Sequence, residues 1–204
     1  MENVLFKVSF PAEFHAQTAV EAAILLHPRV KNRIQEIERV EMTTQEPALR
    51  IIDKTGPLHN PADRDHCIQY MAAIGLIHGR LTADDYSDVS AQDPRIDILR
   101  SKMITREDKA YSGDYLDPEK RSIANALEVF FSDGTGTGKI AVEYPLGHKR
   151  RRKESIPHLL AKLEANLSTR FPADRVKDLT DLFQDPKRLA AMPVPAFMEL
   201  FKPR

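Results

Sequence analysis

The chain has 204 residues, 42% of them hydrophobic, and carries 30 basic against 30 acidic side chains for a formal net charge of zero. That length and apolar content suit a globular protein of one or two domains, and the balanced charge argues against a surface that attracts nucleic acid throughout. No apolar run approaches the ~20 residues that a membrane helix requires, and MENVLFKVSF has neither the basic start nor the long apolar centre of a signal peptide. The expected location is cytoplasmic, and the expected partner is a small molecule or another protein, with no nucleic acid and no membrane.

In chain order, residues 6–10 read as a short extended segment, and residues 15–26 place Ala19, Ala22, Ala23 and Leu26 at helical spacing, with Pro28 disturbing the helix end. Residues 37–44 set Ile37, Val40 and Met42 among Glu38, Arg39 and Glu41, an alternation that predicts a half-buried strand. Asn60 is an N-cap with Pro61 at the first helical position, and Ile68, Met71, Ala72 and Leu76 continue at helical spacing until Gly79. Pro94 opens a shorter helix over 93–100, and 103–108 reads as extended.

The alternating runs LEVFF and KIAVEY, within 122–132 and 139–144, flank DGTGTG and predict a hairpin turning at Asp133-Gly134. Helices are expected over 157–169, 174–184 and near 195–201. The fold class is therefore α+β: a small antiparallel sheet of about four strands backed by helices and followed by C-terminal helices.

Several motifs carry no chemistry. DGTGTGKI lacks the four-residue spacing between glycines, the Ser or Thr after Lys139 and the following helix of a phosphate loop. The seven histidines show no HExxH or comparable metal-ligand spacing, so no metal is expected. Cys67 is the single cysteine, which leaves no intrachain disulfide and too few thiolates for an iron-sulfur cluster. A lone thiol at a helix start is either a lowered-pKa nucleophile or a small buried hydrophobe, and packing is the expectation here.

Three segments remain unexplained by packing: FPAEFHAQTAVEAA from Phe10, RIIDKTGPLHNPADRDHCIQYM from Arg50, and EYPLGHKRRR from Glu143. The run HKRRRK admits three readings: a solvated connection, a nucleic-acid contact, or capture of an anion bearing several carboxylates by convergent arginine forks. Together these segments closely resemble the MmgE/PrpD family across nearly the whole chain. The resemblance reaches only the C-terminal part of the family's enzymes, which begin with a large helical domain.

The resemblance implies a lyase that removes water from 2-methylcitrate to give cis-2-methylaconitate in propionate breakdown, without a metal or other cofactor. Such a reaction takes a proton from carbon beside a carboxylate and protonates a leaving hydroxyl, so side chains must supply acid, base and positive charge. Implied catalytic groups are His15, His66 and Tyr70; implied cations around the tricarboxylate are Lys7, Arg50, Lys54, Arg64, His148, Arg150 and Arg151.

The residues themselves leave alternatives. His15 also reads as a helix-start histidine bonded to backbone, Lys7 as an edge-strand lysine, and Tyr70 as a core ring. In many relatives the loop histidine stands where Glu13 or Gln17 stands here. Arg50, Lys54, Arg64 and His66 are expected to share one pocket if the GPLHNP loop folds over, with Asp63 and Asp65 orienting Arg64 and His66. His66 and Tyr70, at i and i+4, are expected on one helix face.

The expected organisation is an α+β region over 1–153 and a helical segment over 154–204 that would pack on the missing N-terminal helical domain. A homodimer is expected from the resemblance, and the isolated chain is expected to turn over little. Two other readings stay open: another MmgE/PrpD activity, such as cis-aconitate decarboxylation or epimerisation, and a non-enzymatic domain that associates or binds anions.

Overall fold

Val40, Met42 and Thr44 are buried while Glu41 and Thr43 between them are partly exposed, so β1 (Ile37–Thr44) presents one face to a core. A computed structural model describes residues 7–202; residue 6 of the expected extended segment lies outside them, and residues 7–10 form no strand. The chain divides into two compact units, one ending at Arg151 and one beginning at Arg152.

In the first unit, a 3₁₀ turn (Phe14–Ala16) leads into α1 (Gln17–Val30). The helix runs through Pro28, because the buried side chains of Leu26 and Val30 outweigh the backbone bond that proline cannot make. After β1 come α2 (Glu46–Ile52), α3 (Pro61–Asp65), α4 (Ile68–His78) and α5 (Pro94–Ser101), then β2 (Met103–Glu107) and α6 (Lys109–Leu116). β3 (Asn125–Phe131) and β4 (Ile140–Val142) form the hairpin.

The strand order is β2-β1-β3-β4. β3 is antiparallel to both neighbours, with Leu127 opposite Met42 on one side and Ile140 on the other. β2 instead runs parallel to β1, Val40 opposite Met103 and Thr44 opposite Glu107. The α+β class with four strands stands, but the sheet is mixed where an all-antiparallel one is expected. A helical crossover from α2 to α5 separates the two strands, which is long enough to return the chain in the same direction.

α4 is buried from Ile68 to Ile77 and, apart from Gln69, is apolar on nearly all sides, the pattern of a central helix. It packs on α1, which also lies against β3 and β4. Full burial of Met71, Ile74 and Leu76 contributes about 1.5–3 kcal/mol each. Gly75 lets the two helices approach: a Cβ there would stand 2.8 Å from the Ala23 Cβ.

The expected single helix from Pro61 to Gly79 is two. Asn60 Oδ1 caps α3 by accepting the Asp63 N–H at 2.9 Å, but Cys67 is extended (φ −129, ψ 105) and α4 starts afresh. His66 and Tyr70 therefore do not share a helix face. Cys67 is fully buried, as packing requires.

The second unit holds α7 (Arg152–Ser168), α8 (Ala173–Gln184), α9 (Pro186–Ala191) and α10 (Val194–Glu199). Its core is small: Leu167, Val176 and Leu179, with Leu163, Phe171, Leu200 and Phe201 against them. Among the described residues no helix is long and apolar enough to cross a membrane.

Candidate active site

Glu13 precedes the 3₁₀ turn as its N-cap and accepts the His15 backbone N–H at 2.7 Å. The same carboxylate lies 2.9 Å from His15 Nδ1, so backbone and ring are held by one group. On the other side of the ring, His15 Nε2 is 3.2 Å from the Tyr115 hydroxyl at the end of α6. His15 is 7% exposed, with Phe14 edge-on to its ring.

The turn is fastened from below. Asn125 on β3 donates through Nδ2 to the His15 carbonyl at 2.8 Å and to Thr18 Oγ1 at 2.7 Å. Gln17 Nε2 donates to the carbonyls of Phe10 and Ala12, fixing the loop that leads in. Burial raises the Glu13 pKa, but the bonds and charge of His15 outweigh it and leave the carboxyl below its ordinary value of 4.5. Glu13 is thus an ionised acceptor, Nδ1 carries a proton, and in a neutral ring Nε2 is left to accept from Tyr115.

The basic run lies one loop away. Arg150 Nη2 donates to the Glu119 carbonyl at 3.4 Å, in the loop that follows Tyr115, and its guanidinium lies over the Tyr144 ring. His148 is buried and stacked on Tyr144, and its Nδ1 accepts the Arg150 N–H at 3.2 Å. Arg151 turns inward instead, onto the Glu21 carboxylate and the Tyr144 carbonyl. In that loop Arg121 has φ 47, a left-handed conformation that an L side chain seldom adopts. Lys7 is exposed at the edge of the described residues.

The central segment does not gather as expected. Arg50 is exposed and faces Glu46 at 3.7 Å. Arg64 is 5% exposed, donating to the Tyr86 carbonyl at 2.6 Å and pairing with Asp88 at 2.8 Å, so it fastens a loop. His66 is exposed, with Nδ1 3.4 Å from Asp65. Tyr70 is buried and donates its hydroxyl to the Asp85 carbonyl at 2.6 Å, its ring stacked on Tyr86. In place of a substrate-facing position, Tyr70 takes the alternative of a core ring.

Lys54 lines a cleft of about 450 Å³, which the loop at Gly56 forms with Gln69, Arg100 and Met103. Lys54 Nζ pairs with Asp63 at 2.9 Å, so Asp63 serves Lys54 and not Arg64. Arg100 holds the loop through the Gly56 carbonyl at 3.0 Å and pairs with Asp97 at 2.5 Å.

Carboxylate, imidazole and phenol in contact are suited to moving a proton. Against known proteins, the chain matches the MmgE/PrpD C-terminal domain over residues 10–185. The chain belongs to the MmgE/PrpD family. It is 54% identical over 204 residues to the 2-methylcitrate dehydratase of Salmonella typhimurium, covering 98% of this chain and 42% of the relative. The corresponding enzyme of Escherichia coli is 53% identical with the same coverage. The mitochondrial 2-methylcitrate dehydratase of Yarrowia lipolytica is 58% identical over 182 residues, 88% of this chain and 35% of the relative. The chain thus spans less than half the length of these MmgE/PrpD relatives.

Glu13, Tyr115 and Arg100 are absent from the expected set. Glu13 had a local signal, a carboxylate two residues before His15. Tyr115 had none, because it stands 100 residues from its partner and only the fold joins them.

Proposed function

We propose that this chain is the C-terminal α+β part of a 2-methylcitrate dehydratase, a hydro-lyase that converts 2-methylcitrate to cis-2-methylaconitate and water. Identity of 54% to such an enzyme, over 98% of this chain, is the observation that carries the reading. The geometry adds a buried His15 in contact with a carboxylate and a phenol, the equipment for proton transfer at carbon beside a carboxylate. Lys7, His148 and Arg150 are proposed to meet the substrate's carboxylates, and the remaining groups come from the missing N-terminal domain, on which the segment over 154–204 packs.

The protein is proposed to act without a metal or other cofactor, in the cytoplasm, in propionate breakdown, as a homodimer. The Arg50, Lys54, Arg64, His66, Tyr70 and Arg151 side chains are proposed to support this architecture.

The test is a chimera in which this chain replaces the matching C-terminal part of the Salmonella relative, assayed on 2-methylcitrate with chelator present by the ultraviolet absorbance of the new conjugated double bond. Formation of cis-2-methylaconitate by the chimera, with little from the 204-residue chain alone, is the expected result. A chimera that folds yet converts only other tricarboxylates, by decarboxylation or epimerisation, overturns the reading.

A further inference from the structure

We infer that Glu13, His15 and Tyr115 form one proton relay whose substrate-facing end is the Tyr115 hydroxyl, with His15 as its proton store and Glu13 as a positioning residue. The inference rests on the dehydratase reading for the identity of the substrate, but its geometry stands without it.

The direction of the relay follows from hydrogen-bond bookkeeping. The Glu13 carboxylate, ionised and 2.9 Å from Nδ1, only accepts, so Nδ1 donates and the neutral ring keeps its lone pair on Nε2. Tyr115 Oη lies 3.2 Å from Nε2, and with the proton on Nδ1 the phenol is the donor of that pair. A substrate proton therefore cannot go straight to Nε2 without displacing Tyr115. His15 is buried at 7% exposure, whereas Tyr115 on the last turn of α6 is partly exposed, so Tyr115 is the more accessible residue of the pair.

The transfer balances. The C–H bond beside the substrate carboxylate breaks, its electron pair stays on carbon and spreads into the carboxylate, and its proton joins Tyr115 Oη as the phenol's own proton passes to Nε2. The imidazolium that results faces the ionised Glu13, which offsets its charge without rearrangement. When the carbon pair forms the double bond and the hydroxyl departs, the stored proton returns through Tyr115 to that hydroxyl and leaves as water. The relay ends as it began, with nothing oxidised or reduced. Asn125 on the His15 carbonyl and Glu13 on the His15 N–H hold the ring in place throughout.

Two measurements test this, one independent of substrate. In the 204-residue chain, nitrogen NMR of His15 is expected to show the tautomer protonated at Nδ1 and bare at Nε2, and Glu13→Gln is expected to mix the tautomers. A His15 protonated at Nε2, or a tautomer that Glu13→Gln leaves unchanged, overturns the relay. In the chimera, Tyr115→Phe keeps the ring and removes only the hydroxyl, and kcat is expected to fall roughly 10²–10⁴-fold with KM little changed. Wild-type kcat in that variant overturns the role of Tyr115. If the unsubstituted chimera does not act on 2-methylcitrate, the dehydratase reading fails by itself, and the His15 tautomer alone decides the relay.

Discussion

Arg151 grips Glu21 with both terminal nitrogens, Nη1 at 2.9 Å and Nη2 at 2.8 Å from the two carboxylate oxygens. The pair joins the basic run to α1, and both side chains are mostly shielded from water, at 20% and 17% exposure. A bidentate fork in that setting is a structural tie. Replacement Arg151→Ala is expected to cost about 1.5–3 kcal/mol, and Arg151→Lys to recover only part because an ammonium cannot span both oxygens. Arg150→Ala, exposed beside it, is expected to stay within about 0.5 kcal/mol. Urea denaturation of the three variants checks the contrast; equal losses at 150 and 151 would remove the tie.

The contact of α1 with α4 gives a second expectation. A Cβ at Gly75 would sit 2.8 Å from the Ala23 Cβ, closer than packed atoms allow, and 3.4 Å from the Val20 carbonyl oxygen. Gly75→Ala is therefore expected to destabilise by about 1–3 kcal/mol despite its better helix propensity. Adding Ala23→Gly removes the opposing carbon and should restore part of the loss. A double-mutant cycle by thermal or urea unfolding measures the coupling, and simple additivity would mean that the helices part freely.

Alkali supplies a third. Burial pushes the Tyr70 hydroxyl from its ordinary 10.0 up to about 12, and burial raises Tyr86 beside it as well. The unfolded chain then loses these protons first, so the folded state binds more protons above pH 10. The contribution is full below pH 10 and is lost as pH rises through about 12. Denaturation midpoints followed over that range should fall less steeply in Tyr70→Phe than in the parent chain, and identical slopes would show that Tyr70 titrates freely.

Local order was legible wherever one short stretch of chain decided it. Alternation in residues 37–44, the Asp133-Gly134 turn and the prolines at positions 61 and 94 each fix an element through nearest neighbours and backbone geometry, and β1, the hairpin, α3 and α5 follow. The break at His66-Cys67 was not legible, because nothing in those residue types forbids a helix; Cys67 is drawn into the core and Arg64 onto Tyr86 and Asp88.

The candidate site divides the same way. The sequence by itself determined the family's C-terminal domain, the α+β class, His15 in its loop and the absence of a disulfide within the chain. Only the tertiary structure decided that β2 runs parallel to β1, that Arg64 and Tyr70 face the interior, and that Tyr115 meets His15. The physical reason is range: propensity, capping and turn chemistry act over a few residues. Which charge finds a buried partner, and which phenol reaches an imidazole 100 residues away, is settled by the packing that brings α6 beside the turn before α1.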